Sequence, residues 1–251
     1  MKKLNVAILG LGVVGGGTYD ILNANRDLIT ERTENEIVVK RIFGRRHRDD
    51  VPEELFTLDY DDILNDPEIR VVAETLGGIE PALTFMLEAM KRGKHVVTAN
   101  KAAVAAGWDE LNETAKANNV KFLYEASVCG GMPIFAAIKG NLGANRFLEI
   151  RGIINSTTNY ILSKMAREGK SYEEALLDAQ AMGTVERDPS ADVSGMDSAN
   201  KLCILMSLLF KKHIPPESIP RMGITEITKE DMAEAERNGQ VIKLIAHAWL
   251  E

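Results

Sequence analysis

Cysteine is scarce in this sequence: 251 residues contain two, Cys129 and Cys203. They lie far apart and outside any metal-ligand spacing, which excludes a disulfide framework or a zinc finger and is typical of a reduced, cytoplasmic protein. No apolar run reaches the roughly 18 residues that span a membrane. The apolar segment Leu4–Leu11 runs into a glycine-rich turn rather than a signal-peptide cleavage site. We therefore expect a cytoplasmic protein with no membrane partner.

Positive charge is also in short supply. The chain has 30 Lys and Arg against 37 Asp and Glu, a net charge of -7, which argues against general binding to nucleic acid. Repeats and low-complexity segments are absent as well. Hydrophobic content of 45% is ordinary for a globular protein, and the length allows one large domain or two smaller ones.

A glycine-rich turn lies near the start of the chain. The apolar run Asn5–Leu9 leads directly into Gly10-Leu11-Gly12-Val13-Val14-Gly15, and helical spacing follows. Strand, G-x-G-x-x-G and helix in this order are the fingerprint of a dinucleotide-binding turn. Its glycines permit the tight bend, the approach of a pyrophosphate and close packing of helix on strand. These six residues are candidate cofactor ligands, with a plain glycine-rich turn as the alternative.

Basic residues follow the second predicted strand, Ile37–Phe43. Folds of this kind that prefer NAD usually carry an acidic residue here, which binds the ribose 2′-hydroxyl. This chain instead has Arg45, Arg46 and Arg48 around His47, and arginine pairs well with a 2′-phosphate. We expect NADP to bind at least as well as NAD, with Arg45 and Arg46 as contacts. The alternative is a solvated basic loop.

Strands and helices alternate as far as about residue 128. The further predicted elements are strands Val71–Leu76, Lys94–Thr98 and Lys121–Glu125, with helices Asp59–Leu64, Ala82–Arg92 and Trp108–Asn118 between them. This pattern predicts an α/β fold with a Rossmann-type, doubly wound parallel sheet. Ligands of such sheets bind beyond the carboxyl ends of the strands, which adds Gly77, Thr98 and Lys101 as cofactor contacts. A solvated helix-cap lysine is the alternative for Lys101.

The pattern changes near residue 130, where Gly130-Gly131-Met132-Pro133 interrupts the chain. Beyond it we expect a mixed α+β arrangement: helix Ile134–Leu142, strand Phe147–Ile154, helix Tyr160–Glu168, a helix with a capping box at Ser171, helix Met196–Phe210, helix Lys229–Asn238 and a strand-like Gln240–Glu251. The sequence thus predicts an NAD(P)-binding domain over residues 1–130 and a substrate and dimerisation domain over 131–251.

Acidic residues and one lysine crowd a single stretch of the second half: Glu186, Asp188, Asp192, Asp197 and Lys201. Pro189 and Gly195 prevent one continuous helix, so the first part is predicted to be a loop. Asp197 and Lys201 stand at i and i+4 of the helix that follows, whose apolar remainder predicts burial. A lysine beside several acids can bind a polar substrate or move a proton. The alternative is a capping loop with a helical ion pair.

Together these segments resemble the homoserine dehydrogenase family. The matching segments occur in family order across nearly the whole chain: Gly10–Gly15, Thr98–Ala102, Tyr124–Pro133, Asn155–Ile161 and Glu186–Lys201. The last is the most specific, because five polar positions match at fixed spacing. Two positions depart from the family pattern, Ser156 in place of glycine and Arg187 in place of a small or acidic residue.

The resemblance implies the reversible NAD(P)-dependent reduction of L-aspartate 4-semialdehyde to L-homoserine, in the aspartate pathway to threonine, methionine and isoleucine. It also implies that Lys201 is the catalytic proton donor and that Lys101 lies where cofactor and substrate meet. The implied substrate contacts are Glu186, Asp197, Asp192 and Thr157.

A monovalent cation, usually sodium, is often bound in this family. The matching positions are the side chain of Glu125 and the carbonyls of Val128, Gly130 and Met132, and a carboxylate with backbone oxygens suits a hard cation. The resemblance further implies a homodimer formed through the second domain. The family pattern continues with a glycine-rich segment and, in many members, a regulatory ACT domain. We therefore expect a chain truncated at its C-terminus, without feedback through such a domain.

Two other functions remain open. A non-catalytic NAD(P)-binding fragment would keep the glycine turn without turnover. A phosphorylating semialdehyde dehydrogenase would need a cysteine nucleophile, which such enzymes often carry just before a Thr-Thr-Asn run. Ser156 holds that place here, so Cys129, in a different loop, would have to serve.

Overall fold

The structure is a computed structural model that describes residues 2–45, 47–183, 185 and 188–251. The chain divides into two compact units, Met1–Gly143 and Ala144–Glu251, which we call unit 1 and unit 2. Within the described residues no helix is long and apolar enough to cross a membrane.

Unit 1 is built on a parallel sheet. Its strands, within the described residues, are β1 (Lys2–Leu9), β2 (Asn35–Phe43), β3 (Phe56–Thr57), β4 (Ile69–Glu74), β5 (His95–Thr98) and β6 (Phe122–Leu123). They lie in the order β3-β2-β1-β4-β5-β6, and all neighbours are parallel. The order reverses between β1 and β4, which is where sheets of this kind bind their ligands. The predicted doubly wound sheet is confirmed, with the short β3 as an unpredicted addition.

Helices connect these strands. Those of unit 1 are α1 (Val13–Ala24), α2 (Arg26–Thr33), α3 (Asp61–Leu64), α4 (Ala82–Lys91), α5 (Lys101–Ala106), α6 (Trp108–Ala117) and α7 (Ile134–Asn141). Around β1 and β2 the core consists of Ile8, Leu11, Val39, Ile42 and Val51, with Tyr19 of α1 packed against it. The sequence does not predict α2, because this helix buries no residue and so lacks an apolar stripe.

Helix α7 is tied to unit 1 by a carboxylate. Glu125 accepts hydrogen bonds from the N–H groups of Phe135 (2.7 Å) and Ala136 (3.0 Å) in the first turn of α7. Such groups have no partner inside the helix, and negative charge is favourable at that end. The two compact units accordingly divide after α7, whereas the boundary expected from sequence precedes it.

Unit 2 combines helices with an antiparallel pair of strands. Its elements are β7 (Glu149–Gly152), α8 (Ser156–Glu168), α9 (Tyr172–Ala181), α10 (Ser190–Val193), α11 (Met196–Leu209), α12 (Lys229–Arg237) and β8 (Ala246–Trp249), with β7 paired to β8. One core joins α8, α9 and α12 through Ile161, Leu162, Ala175 and Met232. Another packs the inner face of the sheet on α11 through Leu202, Met206, Ala246 and Ala248. The predicted mixed α+β arrangement is confirmed.

Local signals set several boundaries in unit 2. The predicted capping box is present, since Ser171 and Glu174 bond each other's backbone N–H groups at the start of α9. Helix α8 begins earlier than predicted, at Ser156, because the Asn155 side chain caps it. The predicted strands Phe147–Ile154 and Gln240–Glu251 are shorter in the structure and pair over four residues each.

Candidate active site

The turn after β1 has a shape that requires glycine. Gly10 has a φ of +91°, and a Cβ at Gly15 would lie 1.9 Å from the Gly10 carbonyl oxygen. Thr75, directly after β4, shares its hydroxyl hydrogen between the carbonyls of Leu9 and Gly10, each at 2.9 Å. The turn is therefore fixed from the neighbouring strand. The sequence pattern does not reveal this contribution of Thr75, because the motif ends long before it.

The start of α1 faces open space. A Cβ at Gly12 would meet no atom within 4 Å, Val13 is 94% exposed and Val14 is also exposed. The first N–H groups of a helix lack intrahelical partners and lie at its positive end, where phosphate binds well. The predicted contacts from Gly10 to Gly15 therefore form one turn that can receive a pyrophosphate.

A groove of about 410 Å³ adjoins this turn. It is lined by Gly10, Leu11, Gly12, Phe43, Gly44, Arg45, Thr75 and Leu76. Arg45 is exposed and supplies positive charge to the groove. Its contact with a 2′-phosphate stays a prediction. The other arginine predicted to bind this group, Arg46, lies outside the described residues.

A buried carboxylate, Glu74, organises the ends of β4 and β5. It is fully buried and accepts hydrogen bonds from the Thr98 hydroxyl (2.5 Å), the Leu76 N–H (2.8 Å) and the Asn100 amide (3.4 Å). A buried charge is tolerated only when it is hydrogen-bonded in this way. The side chain of Thr98, a predicted cofactor contact, is thus held by Glu74. The sequence does not reveal this role, because a single acid within an apolar run indicates only the end of a strand.

Asn100 extends the same network to the first residue of α5. Its amide donates to the Gly78 carbonyl (2.7 Å), next to Gly77, whose φ is +82°. Its side-chain oxygen accepts the N–H of Ala103 (3.1 Å), which caps α5 and sets the position of Lys101. Gly77, Thr98 and Lys101 are therefore brought together at the carboxyl ends of two adjacent strands, as predicted.

The residues expected to hold a cation lie in one short segment before α7. Both Glu125 oxygens bond N–H groups of that helix, and the Met132 carbonyl accepts the N–H of Ile134 at 2.8 Å. Each such oxygen has a second lone pair, so a carboxylate with the carbonyls of Val128, Gly130 and Met132 fits a hard cation chemically. Across the described chain no group of three or more His, Cys, Asp or Glu side chains is placed to hold a metal ion.

In unit 2 the amine of Lys201 lies between two acceptors. Its Nζ is 2.7 Å from Asp197 Oδ2 and donates to the Ile154 carbonyl at 2.8 Å. The predicted i, i+4 placement of the two residues on one face of α11 is confirmed, and they form the helical ion pair that the alternative interpretation expects. Its side chains are only 14% and 6% exposed, so each charge depends on the other for compensation.

Asn155 links this pair to a second acid. Its amide nitrogen donates to Asp192 Oδ1 (2.6 Å) and to Asp197 Oδ2 (2.8 Å). Its oxygen accepts from the N–H and the hydroxyl of Thr158, each at 2.8 Å, so the orientation of the carboxamide is fixed. Asn155 is a functional candidate that sequence reasoning missed. The sequence does signal a position at the start of a helix, but a capping role is enough to explain an asparagine there and gives no reason to expect a second role.

The two acids reach Asn155 because the chain turns between them. Asp192 lies in α10, Asp197 lies in the first turn of α11, and Gly195 between them has a φ of +82°. The short α10 occupies part of the predicted loop. Thr157, a predicted substrate contact, is buried in α8, but its neighbour Thr158 makes the bond to Asn155. Glu186 lies outside the described residues.

The charges of this cluster suit a cationic group. Asp192 and Asp197 carry two negative charges against the one positive charge of Lys201, so an ammonium group is attracted electrostatically. The lysine can in turn stabilise a developing alkoxide and give it a proton. The cluster can therefore bind an amine and protonate an oxygen.

Family models and related proteins agree on the identity of both halves. The homoserine dehydrogenase NAD-binding model matches residues 10–125, and the homoserine dehydrogenase model matches residues 133–251. Homoserine dehydrogenase of Synechocystis is 43% identical over 247 residues, which cover 98% of this chain and 57% of that protein.

Solved structures agree with these matches. A homoserine dehydrogenase from Thiobacillus denitrificans superposes with a TM-score of 0.91 at 42% identity, covering 99% of this chain and 58% of the other. A hyperthermophilic archaeal homoserine dehydrogenase in complex with NADPH gives 0.82 at 26% identity, covering 98% and 79%. The chain spans little more than half of the Synechocystis and Thiobacillus relatives. Family models of homoserine dehydrogenase match both of its halves, and the chain belongs to the homoserine dehydrogenase family.

Proposed function

We propose that this chain carries the catalytic machinery for the reversible reduction of L-aspartate 4-semialdehyde to L-homoserine, in the aspartate pathway to threonine, methionine and isoleucine. The observation that carries the proposal is the Lys201 amine, held 2.7 Å from Asp197 and linked through Asn155 to Asp192. The two acids can bind the ammonium group of the substrate, and the amine can give a proton to its oxygen.

Each residue has a role in this proposal. A bound nicotinamide cofactor supplies the hydride in the reductive direction and accepts it in the oxidative one. Lys201 donates a proton to the forming alkoxide and removes it in the reverse reaction. Asp192 and Asp197, with Glu186 and Thr157, bind the amino and hydroxyl groups of homoserine. Lys101 is proposed to contact the cofactor.

Turnover is the direct test. The chain is mixed with NADPH and L-aspartate 4-semialdehyde, and the absorbance of the reduced nicotinamide is followed. Lys201→Ala should lower turnover at least about a hundredfold if the amine is the general acid. The exposed Lys212, just beyond α11, gives a matched control, and Lys212→Ala should leave the rate unchanged. Equal losses in both variants would contradict the role of Lys201.

A cofactor-binding module is the alternative outcome. If the unmodified chain binds NADPH but turns over no semialdehyde, the catalytic proposal fails for this chain. The same assay on the longer relatives would then show whether residues beyond position 251 are required. Turnover that needs phosphate and stops in a Cys129→Ser variant would favour the phosphorylating reaction instead.

We also propose that NADP is preferred over NAD. Arg45 supports this, because it is exposed on the groove beside the glycine turn, and Arg46 is its sequence neighbour. The dissociation constants of NADPH and NADH are measured by nicotinamide fluorescence. Arg45→Ala should weaken NADPH binding about tenfold, a loss of about 1.4 kcal/mol, and leave NADH binding nearly unchanged. An equal effect on the two cofactors would contradict the assignment.

A monovalent cation, sodium in the first instance, is proposed for the segment from Glu125 to Met132. The donor chemistry supports it, since one carboxylate and three carbonyls match a hard cation. Thermal unfolding is measured in sodium chloride and in tetramethylammonium chloride at equal ionic strength. The melting temperature should be higher in sodium for the native chain and equal for Glu125→Ala. Glu113→Ala, an exposed site on α6, should keep the difference.

We propose that residues 1–130 bind the cofactor and that residues 131–251 carry out catalysis and form the homodimer. An exposed tryptophan, Trp249, on the outer strand face of β8 supports a role for this sheet in association. Light scattering after size-exclusion chromatography gives the mass in solution. Trp249→Glu should shift a dimer to the monomer mass, and a native chain of monomer mass would contradict the dimer.

A further inference from the structure

The guanidinium of Arg48 lies between two carboxylates. It bonds Asp20 in bidentate fashion, at 2.8 Å from Nη2 and 3.1 Å from Nη1. It also bonds both oxygens of Asp50, with Nε at 3.0 Å from Oδ1. Bidentate arginine–carboxylate pairs are the strongest and most directional of the charged hydrogen bonds. Four N–H···O contacts to acids thus engage this side chain, and the three charges together sum to -1.

Arg48 also lies directly on helix α1. A Cβ at Gly16 would be 3.0 Å from Arg48 Nη1, and the guanidinium carbon is 6.0 Å from the centre of the Tyr19 ring. Gly16 follows the G-x-G-x-x-G motif, so the motif does not account for it. A glycine at this position leaves room for the guanidinium over the helix. The pair with Asp20 therefore fastens the loop after β2 to α1, the helix whose first turn can receive a pyrophosphate.

We propose that Arg48 is a positioning residue that determines cofactor choice without touching the cofactor. It holds the loop that carries Arg45 against α1, so that Arg45 meets a 2′-phosphate in a fixed place. This rests on the proposed preference for NADP. The competing arrangement, in which Arg48 itself binds the 2′-phosphate, would require it to leave both Asp20 and Asp50.

A reciprocal exchange separates the two arrangements. Arg48→Asp removes the clamp, and the double variant Arg48→Asp with Asp20→Arg restores one guanidinium between two carboxylates with the same total charge. Dissociation constants of NADPH and NADH are measured for the native chain and both variants by nicotinamide fluorescence. Lys116→Glu, an exposed charge reversal on α6, controls for net charge.

Positioning predicts a specific result. Arg48→Asp should lower the preference for NADPH over NADH at least about tenfold, and the exchange should return it to within about threefold of the native ratio. If the exchanged variant is as poor as Arg48→Asp, Arg48 binds the phosphate itself and the proposal is overturned. A native chain that binds NADPH and NADH equally would overturn the NADP preference, and the role of Arg48 with it.

Arg48→Lys gives a second, milder test that preserves charge. A lysine cannot form bidentate bonds with two carboxylates at once, but it binds phosphate readily as a point charge. If Arg48 is a positioning residue, the affinity for NADPH relative to NADH should fall clearly in this variant. If Arg48 binds the phosphate directly, this relative affinity should stay close to that of the native chain. Melting temperatures of all variants are compared, so that a global loss of folding is distinguished from a change in cofactor choice.

Discussion

At Asn155 one carboxamide sets the geometry of three charged side chains. Its nitrogen holds Asp192 and Asp197, and Asp197 in turn holds Lys201. Its oxygen is occupied by Thr158, which prevents the group from turning over. A side chain fixed at both ends keeps its neighbours in place without reorganisation, which is the condition for effective electrostatic catalysis.

Removal of this carboxamide should therefore damage catalysis. Asn155→Ala leaves two carboxylates without their shared donor, and an unsatisfied buried partner of this kind lowers the free energy of unfolding by about 2 kcal/mol. We expect kcat to fall as well, because the two acids and Lys201 are no longer held in place. Steady-state kinetics of semialdehyde reduction measure the effect. Asn238→Ala, at the exposed end of α12, should behave as the native chain does. A normal kcat with Asn155→Ala would show that the acids and the lysine need no such support.

At the scale of elements, α8 and α9 are joined by a group of charges. Asp178 of α9 bonds Lys170 and lies 3.0 Å from Lys164 of α8. The two lysines, Lys170 first, hold the pKa of the Asp178 carboxyl below its ordinary value of 3.8. The stabilisation that follows is present above that ordinary value and is lost as the pH falls through the lowered pKa.

Acid titration should reveal this contribution. Asp178→Asn should lower the melting temperature near pH 7. The gap to the native chain should close as the pH falls from 3.8 through the lowered pKa, where the native carboxyl also loses its charge. The effect is expected to be modest because the side chains are partly exposed. Glu173→Gln on the exposed side of α9 is the control. A gap that stays constant with pH would contradict this origin.

For the whole molecule, the two directions of the proposed reaction require opposite protonation states of one lysine. Reduction needs a charged Lys201 to give a proton, and oxidation needs a neutral one to take it. Oxidation of homoserine should therefore accelerate from neutral toward alkaline pH. Initial rates across that range test this expectation. Lys201→Arg should show almost no oxidation at any pH in this range, because arginine does not lose its proton. A rate that is flat with pH would count against Lys201 as the base.

Much of the fold follows from periodicity along the chain. The parallel strands other than β3, and the buried helix α11, were predictable because apolar runs and glycine breaks mark them directly. Helix α2 was not, since no residue of it is buried. The pair Asp197 and Lys201 was predictable because both lie on one helix, four residues apart.

Other parts of the site depend on contacts between distant segments. Glu74 meets Thr98 across two strands, Asn155 meets Asp192 across 37 positions, and Arg48 meets Asp20 across 28. A single sequence carries no local signal for such pairs, because each partner has an ordinary local explanation as a strand end, a helix cap or a loop charge. The tertiary structure brings the partners together.

The Ile154 carbonyl that receives the Lys201 amine has a consequence for how this site can change over time. The contact belongs to the peptide backbone, so no codon change at position 154 deletes it, while the Ile154 side chain packs with the apolar cluster around Leu202. Exchange of isoleucine for valine or leucine at this position is therefore expected to have almost no effect on the contact with Lys201. One of the two anchors of the Lys201 amine is in this sense protected from side-chain mutation, and heritable variation falls on the other, Asp197.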